Sequence, residues 1–400
     1  MGFYGHVDVA VIEVAGITAD GSLIPSSSVG NNKTWLDLAD RIILEVNQWQ
    51  PEGLEGFHDI YYGTALPPDR KPIQLTNVGD RIGQALYKVD LDKVVAIVET
   101  NLPDRETAFT PQDAVSTSIA DHVLDFFTHE VGRGRLPADT LLPLQSGVGN
   151  VPNAVLAGLK KGGYRGLNCY SEVIQDGMLE LIKDGTVGFA SATGLAFSPE
   201  GVEEFRRNID FYRQRIVLRP QEISNHPEVV RRLGVISMNG MLEADIYGNV
   251  NSTHIMGTRM KNGIGGSGDF TRNAYLSMFV SPSTAKRGAI SAIVPFASHV
   301  DHTEHDVHVI VTEQGLADLR ALPPRKRSRV VIEKCAHPGY RPFLRDYVER
   351  AERKPRAGQT PHILSEALSW HERCDLTGTM LPGGHPAAAL PTETIRTPLP

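Results

Sequence analysis

Cysteine is scarce. Cys169, Cys335 and Cys374 are the whole complement in 400 residues, and no two stand in a CxxC pair. A disulfide scaffold is therefore excluded, and a reducing cytoplasm is the expected setting. No apolar run reaches about 18 residues, so no membrane-spanning helix is expected. No charged segment followed by an apolar one opens the chain, so no secretory signal is read. A basic excess is also missing. The formal net charge is −7, which argues against nonspecific nucleic-acid binding. No repeat of solenoid period is visible. Apolar residues make up 41% and charged residues 22%, enough to bury a large core spread over about two or three domains.

Short apolar runs alternate with amphipathic stretches along the chain. Strands are predicted at 7–17, 41–47, 94–99, 187–193, 289–296 and 307–312, from continuous apolar or alternating runs. Helices are predicted at 111–131, 151–161, 173–184, 201–215, 316–322 and 362–374. Thr110-Pro111 supplies a cap followed by proline at the first helical position. This alternation predicts an α/β architecture with open, largely parallel sheets. A core strand by residue 7 suggests a partial chain whose first sheet had preceding neighbours. A boundary is expected near 101–105, giving domains 1–102 and 103–376. A proline-rich tail, 377–400, is expected to be disordered.

Five segments could carry chemistry. Gln145-Ser146-Gly147-Val148-Gly149-Asn150 joins an apolar run to a helix-like one. Such a turn can hold an oxyanion or phosphate on bare N–H groups, or it can be a plain tight turn. Asn262-Gly263-Ile264-Gly265-Gly266-Ser267-Gly268 lets backbone approach a ligand closely. It also satisfies GxGxxG, but no acidic residue lies between Asp269 and Asp301 to hold a ribose. An acyl or phosphate cradle is therefore preferred to a dinucleotide site. Glu172 begins an apparent helix, where a carboxylate is held ionised and can act as a nucleophile or merely cap the turn. His299-Val300-Asp301-His302-Thr303-Glu304-His305-Asp306-Val307-His308 could suggest a metal, yet the spacing lacks the four-residue histidine offset of zinc helices. A hydrogen-bonded loop is the preferred reading and no metal is assigned. Glu313 follows a buried strand beside Gly315, where α/β sheets place ligands.

Together the segments are more specific than any one of them. Gln-Ser-Gly-Val-Gly-Asn (145–150), Tyr-Ser-Glu-Val-Ile-Gln-Asp (170–176), Ala-Ser-Ala-Thr (190–193), Arg-Pro-Gln-Glu-Ile-Ser-Asn (219–225), Glu-Ala-Asp-Ile-Tyr-Gly-Asn-Val-Asn-Ser-Thr (243–253), Gly-Ile-Gly-Gly-Ser-Gly-Asp-Phe (263–270) and His-Val-Asp-His-Thr-Glu-His-Asp-Val (299–307) follow one another in order. From near residue 4 to about residue 376 the chain resembles the acetyl-CoA hydrolase/transferase family of class I CoA-transferases, near the succinyl-CoA:acetate CoA-transferases.

The resemblance implies two CoA-transferase-type α/β domains, the first incomplete. Family members carry a preceding segment with a Gly/Ser-rich turn facing the carboxylate pocket. Glu172 matches the catalytic glutamate, which passes through an acyl anhydride to a glutamyl-CoA thioester. Val148 and Gly266 match the amides lining the oxyanion holes, with Gly147 and Gly149 beside the first. Asn225 and Glu313 match polar residues near the carboxylate substrate, and Arg105 an arginine at the domain junction. Asn262 and Lys286 match CoA-contacting positions, and Gly147, Val148, Gly149 and Gly266 are expected to contact coenzyme A as well. Coenzyme A is expected as substrate, with no permanently bound cofactor, and a cytoplasmic homodimer is the family's habit. Transfer between a succinyl-, acetyl- or propionyl-CoA and a short carboxylate is the leading expectation. Hydrolysis by the same glutamate, and a noncatalytic CoA-binding chain, are the alternatives.

Overall fold

The computed structural model describes residues 3, 5–105, 113–147 and 150–383. The chain divides into two compact units that interleave in sequence. One holds 1–110, 137–145 and 163–235, and the other 111–136, 146–162 and 236–400. The expected cut at residue 103 follows the succession of elements and does not register this re-entry. Thr110 and Pro111, the expected helix start, lie outside the described residues. The helix there, Ala114–Gly132, is capped by Asp113, whose side chain accepts the Ser116 N–H.

In the first unit, strands Leu23–Pro25, Val9–Ile17, Arg41–Asn47 and Val94–Thr100 hydrogen-bond in that order. The last three are mutually parallel, with Ile12 opposite Leu44 and Leu44 opposite Ile97. Alternation sorts their faces. Ile12, Val14, Ile42 and Leu44 are buried, whereas Val9, Val11 and Val98 are exposed, Val11 by 63%. Nothing among the described residues covers that apolar side. A second set of strands, Ile216–Leu218, Val187–Ala192, Leu167–Tyr170 and Leu144–Ser146, is also joined in order, all parallel. Most residues of these short strands are buried, Asn168 and Gly188 being exposed, as in a parallel sheet covered on both faces.

In the second unit, Ile236–Gly240, Leu276–Val280 and Val309–Thr312 are parallel, and Gly315–Asp318 adds an antiparallel edge. Residues 316–322 were expected to be helical. They begin instead as this edge strand, because Glu313-Gln314 makes a two-residue hairpin turn that pairs Thr312 with Gly315. Gly315 has φ +149°, and a Cβ there would meet the Lys334 carbonyl oxygen at 2.8 Å. The expected strand 289–296 splits into Ile290–Ser291 and Ile293–Val294. The expected helix 173–184 opens with a short strand, Val173–Ile174, before turning helical at Asp176–Lys183. The helix at 201–215 breaks into Pro199–Arg207 and Ile209–Arg213, and 362–374 is helical only from Ser369. Two unforeseen helices, Pro324–Cys335 and Arg341–Glu352, bury Val331, Ile332, Leu344 and Val348 in the core. At the start of the expected tail, Met380 is fully buried and its N–H donates to Ala289 O at 2.8 Å, whereas 384–400 lie outside the described residues.

Between His58 and Tyr87 the first unit has a long irregular segment. One buried ion pair fixes it. Arg219 and Asp59 are 0% and 1% exposed and in direct contact. Arg219 also donates to Ser191 Oγ at 2.9 Å, to Val78 O at 3.1 Å and to Asp80 O. Asp59 accepts the N–H groups of Ile82 and Gly83 at 2.9 and 2.6 Å. Every charge in the clamp is thus met by hydrogen bonds. Asp59→Ala would leave a buried guanidinium uncompensated and should cost about 3–5 kcal/mol, read as a lower denaturation midpoint. Asp59→Asn, which keeps an acceptor for the two N–H groups, should lose less.

Candidate active site

Parallel pairing brings the carboxyl ends of three strands of the first unit to one edge. Glu172 follows Leu167–Tyr170, Thr193 follows Val187–Ala192, and Arg219 follows Ile216–Leu218. Glu172 is half-buried at a bend, and its carbonyl accepts the Thr193 N–H at 2.9 Å. Tyr170, two residues earlier and fully buried, donates its hydroxyl to Ile223 O at 2.5 Å. That bond ties the glutamate's strand to the short helix Gln221–Ser224, which delivers Asn225. Asn225 is only 6% exposed, yet neither Nδ2 nor Oδ1 has a hydrogen-bond partner among the described residues. Buried amides are rarely left this way without a reason, such as a ligand they await.

A loop that the sequence reading passed over completes this edge. Ser26-Ser27-Ser28-Val29-Gly30 lies against Thr193-Gly194-Leu195. Val29 N–H donates to Thr193 O at 2.8 Å, Gly30 N–H to Thr193 Oγ1 at 3.1 Å, and Leu195 N–H to Ser27 O at 3.0 Å. Three serines and a glycine between a strand and a helix were the available signal. Ser27 also bonds Asp104, which burial pushes above the usual carboxylate range. Arg105, next in the chain, is exposed.

The remaining candidates belong to the second unit. Gly147 is half-buried and donates its N–H to Met238 O at 2.9 Å. Val148 and Gly149 lie outside the described residues. Gly266 is buried at the start of Ser267–Asn273, after Gly265 in the left-handed region at φ +54°. Glu313 accepts the Ser283 N–H at 2.7 Å, the Ser283 hydroxyl and Gln314 Nε2 at 3.0 Å. It is thereby held as an acceptor at the end of a parallel strand.

Asn262 and Lys286 are both exposed. Lys286 lines a cavity of about 750 Å³ in the second unit. Two hairpins frame it, His254–Ile255 with Arg259–Met260, and Thr284–Ala285 with Ile290–Ser291. Arg259, Lys261 and Lys286 supply cations, and Met256, Met260 and Ile290 supply apolar wall. Lys286 and Arg287 both have positive φ, 48° and 55°. Left-handed backbone at two successive side-chain-bearing residues costs about 1–3 kcal/mol each and recurs at ligand sites. Such a surface suits a ligand with phosphates at one end and an uncharged arm at the other.

Glu243 forms part of the cavity wall. Burial raises its pKa, but hydrogen bonds from His371 at 2.7 Å, Ser298 and Asn251 outweigh burial and hold the carboxyl below its ordinary value. The histidine-rich segment is a hydrogen-bonded loop, as expected. Asp301 accepts the N–H groups of Ser252 and Thr253 at 2.7 and 3.0 Å. Among the described residues no cluster of three or more His, Cys, Asp or Glu could hold a metal, and no helix is long and apolar enough to cross a membrane.

The sequence matches the model of the acetyl-CoA hydrolase/transferase N-terminal domain over residues 1–99 and that of the C-terminal domain over 201–348. It is 54% identical to a succinyl-CoA:acetate CoA-transferase of Clostridium kluyveri, over 94% of this chain and 69% of that protein. It is 50% identical to an acetyl-CoA hydrolase of Schizosaccharomyces pombe, over 94% and 73%. The solved structure of RipA from Yersinia pestis superposes with a TM-score of 0.65 at 24% identity, over 88% of this chain and 72% of that one, which shows the shared fold.

A depressed carboxylate stabilises the folded state above its ordinary pKa of 4.5, and that contribution is lost as pH falls through the lower folded value. The melting temperature should therefore drop on acidification below about pH 4.5. Glu243→Gln should flatten that part of the profile.

Proposed function

The chain belongs to the acetyl-CoA hydrolase/transferase family, and from that premise we propose that it moves coenzyme A between a short acyl-CoA and a short carboxylate, with Glu172 as nucleophile. Succinyl-, acetyl- and propionyl-CoA are the donors, and acetate or succinate the acceptors. The observation carrying this reading is the half-buried Glu172 close to a buried Asn225 that has no hydrogen-bond partner among the described residues.

In this reading the Glu172 carboxylate attacks the thioester carbonyl. A C–O bond forms, the C–S bond breaks and CoA leaves as thiolate, giving an acyl-glutamyl anhydride. The thiolate then attacks the glutamyl carbonyl and expels the donor's carboxylate, leaving a glutamyl-CoA thioester. The acceptor carboxylate attacks that thioester, and the same two steps run in reverse order. Each addition places negative charge on an oxygen. The N–H of Gly266, and of Val148, are the assigned donors. Removing such a donor costs about 3–4 kcal/mol of barrier. Lys286, Arg259 and Lys261 hold the phosphates, and Asn262 and Gly147 line the approach of the thioester arm. Asn225 and Glu313 bind near the carboxylate, and Arg105 stays at the junction assigned by the resemblance. A homodimer in the cytoplasm goes with this reading, and three buried, unbridged cysteines suit a reducing compartment.

Hydrolysis is the second reading, favoured by the 50% identity to a protein named acetyl-CoA hydrolase. It shares the nucleophile, with water resolving the thioester. Among the described residues no general base positioned for water stands out, so transfer is preferred.

Succinyl-CoA and acetate should yield acetyl-CoA, and Glu172→Ala should abolish it. Borohydride treatment after incubation with acyl-CoA should convert Glu172 to its alcohol, seen as a mass change on its peptide. Unchanged turnover in the alanine variant would reject the mechanism. Release of CoA at the same rate with and without acetate would select hydrolysis.

A further inference from the structure

The histidine-rich loop has no part in the reaction as written, yet its hydrogen bonds lead to the glycine turn. His302 is 4% exposed, and its ring lies on Phe279 with centroids 4.8 Å apart. Nε2 is 3.1 Å from Ser267 Oγ. Ser267 Oγ is in turn 2.8 Å from Ile264 O. A serine hydroxyl has one proton, and a carbonyl can only accept. The serine proton therefore goes to Ile264 O, and the bond to the ring requires His302 Nε2–H as donor. Burial holds the imidazole below the ordinary histidine pKa, against the pull of Asp301 and Asp306. At neutral pH the ring is then uncharged and has a single N–H to give.

This relay closes the turn Ile264–Gly265–Gly266–Ser267. Ser267 N–H also donates to Ile264 O, at 3.3 Å. The peptide joining Gly265 to Gly266, which carries the Gly266 N–H, lies at the centre of that turn. The left-handed φ of Gly265 sets its plane. The neighbouring loop is tied down in parallel. Asp301 holds Ser252 and Thr253, Thr253 O accepts the N–H groups of Lys261 and Asn262 at 2.8 and 3.3 Å, and Asn262 Nδ2 donates to Ser252 O at 3.2 Å. Both ends of the glycine run are thus fixed from the histidine loop.

We propose that His302 is a positioning residue for CoA transfer, orienting the Gly266 N–H through Ser267 without touching substrate. The proposal rests on the reading of Gly266 as an oxyanion donor. A donor turned away from the developing charge loses most of its effect on the transition state and little of its effect on ground-state binding.

The test is steady-state transfer from succinyl-CoA to acetate, with a thermal melt on each variant. His302→Leu should lower kcat by about 10- to 100-fold and leave KM for succinyl-CoA within about threefold. His302→Gln, whose amide N–H reaches the Nε2 position, should recover most of the loss. Ser267→Ala should match His302→Leu, and the double variant should be no worse than either. An unchanged kcat in folded His302→Leu, or a glutamine variant as poor as the leucine one, overturns the proposal. If His302→Leu does not fold, Ser267→Ala decides alone, and full activity there overturns it. Gly266→Pro, which deletes the N–H, separates the two readings. Its full activity would overturn the oxyanion assignment and the proposal with it. Its inactivity beside a fully active His302→Leu would remove only the role of His302.

Discussion

Parallel strand pairing is the constraint on which the placement of Glu172 depends. In an antiparallel sheet successive carboxyl ends alternate between edges. Here Leu167–Tyr170, Val187–Ala192 and Ile216–Leu218 all run the same way, so the residues after each emerge together. Glu172, Thr193 and Arg219 owe their neighbourhood to that direction. The strands themselves carry no chemistry. Their burial makes the edge rigid, so that a backbone bond from Thr193 to the Glu172 carbonyl has a fixed base. The Arg219–Asp59 clamp serves the same end. It secures the irregular segment behind the edge without exposing a charge.

Much of the remaining chemistry is assigned to backbone, and backbone donors are aimed only by dihedral angles. Gly265 at φ +54° sets the turn before Gly266. Lys286 and Arg287 reach the same region with side chains attached, so their hairpin holds a conformation its residues do not favour. The tight Thr284–Ala285 and Ile290–Ser291 pairing sustains it. Strained loops of this kind keep their shape only because flanking hydrogen bonds over-determine them. A relay of side chains behind the glycine run is the same device applied from outside the turn.

What the sequence made legible was whatever is local. Continuous apolar runs marked Arg41–Asn47 and Val94–Thr100, and glycine clusters marked both turns. Glu172 was expected where an extended stretch meets a helix; it stands instead between Leu167–Tyr170 and the short strand Val173–Ile174, with the helix starting at Asp176, and its role came from the resemblance. The misreadings were non-local. Leu316-Ala317-Asp318 suits a helix or a strand equally by propensity, and only pairing with Val309–Thr312 decides it. Ser26–Gly30 looks like any polar loop until Thr193 is set against it, 163 residues away in sequence for the Gly30 bond. His302 carries no sign of its target, since its partner Ser267 is 35 residues earlier.

In the proposed reading transfer and hydrolysis share Glu172, so the choice between them lies in the groups that meet the second substrate. Asn225 has two atoms of opposite character without a partner among the described residues. An ionised acceptor carboxylate can take the Nδ2 protons but has nothing to give Oδ1. A water molecule can answer both. Leaving a buried acceptor unmatched costs about 1–3 kcal/mol, which is about one or two powers of ten in partition. If the acceptor carboxylate binds at Asn225 as proposed, an efficient transferase must therefore bring a second donor to Oδ1. A hydrolase needs no such group. On the proposed reading, the choice between transfer and hydrolysis turns less on Glu172 than on how the Asn225 oxygen is satisfied.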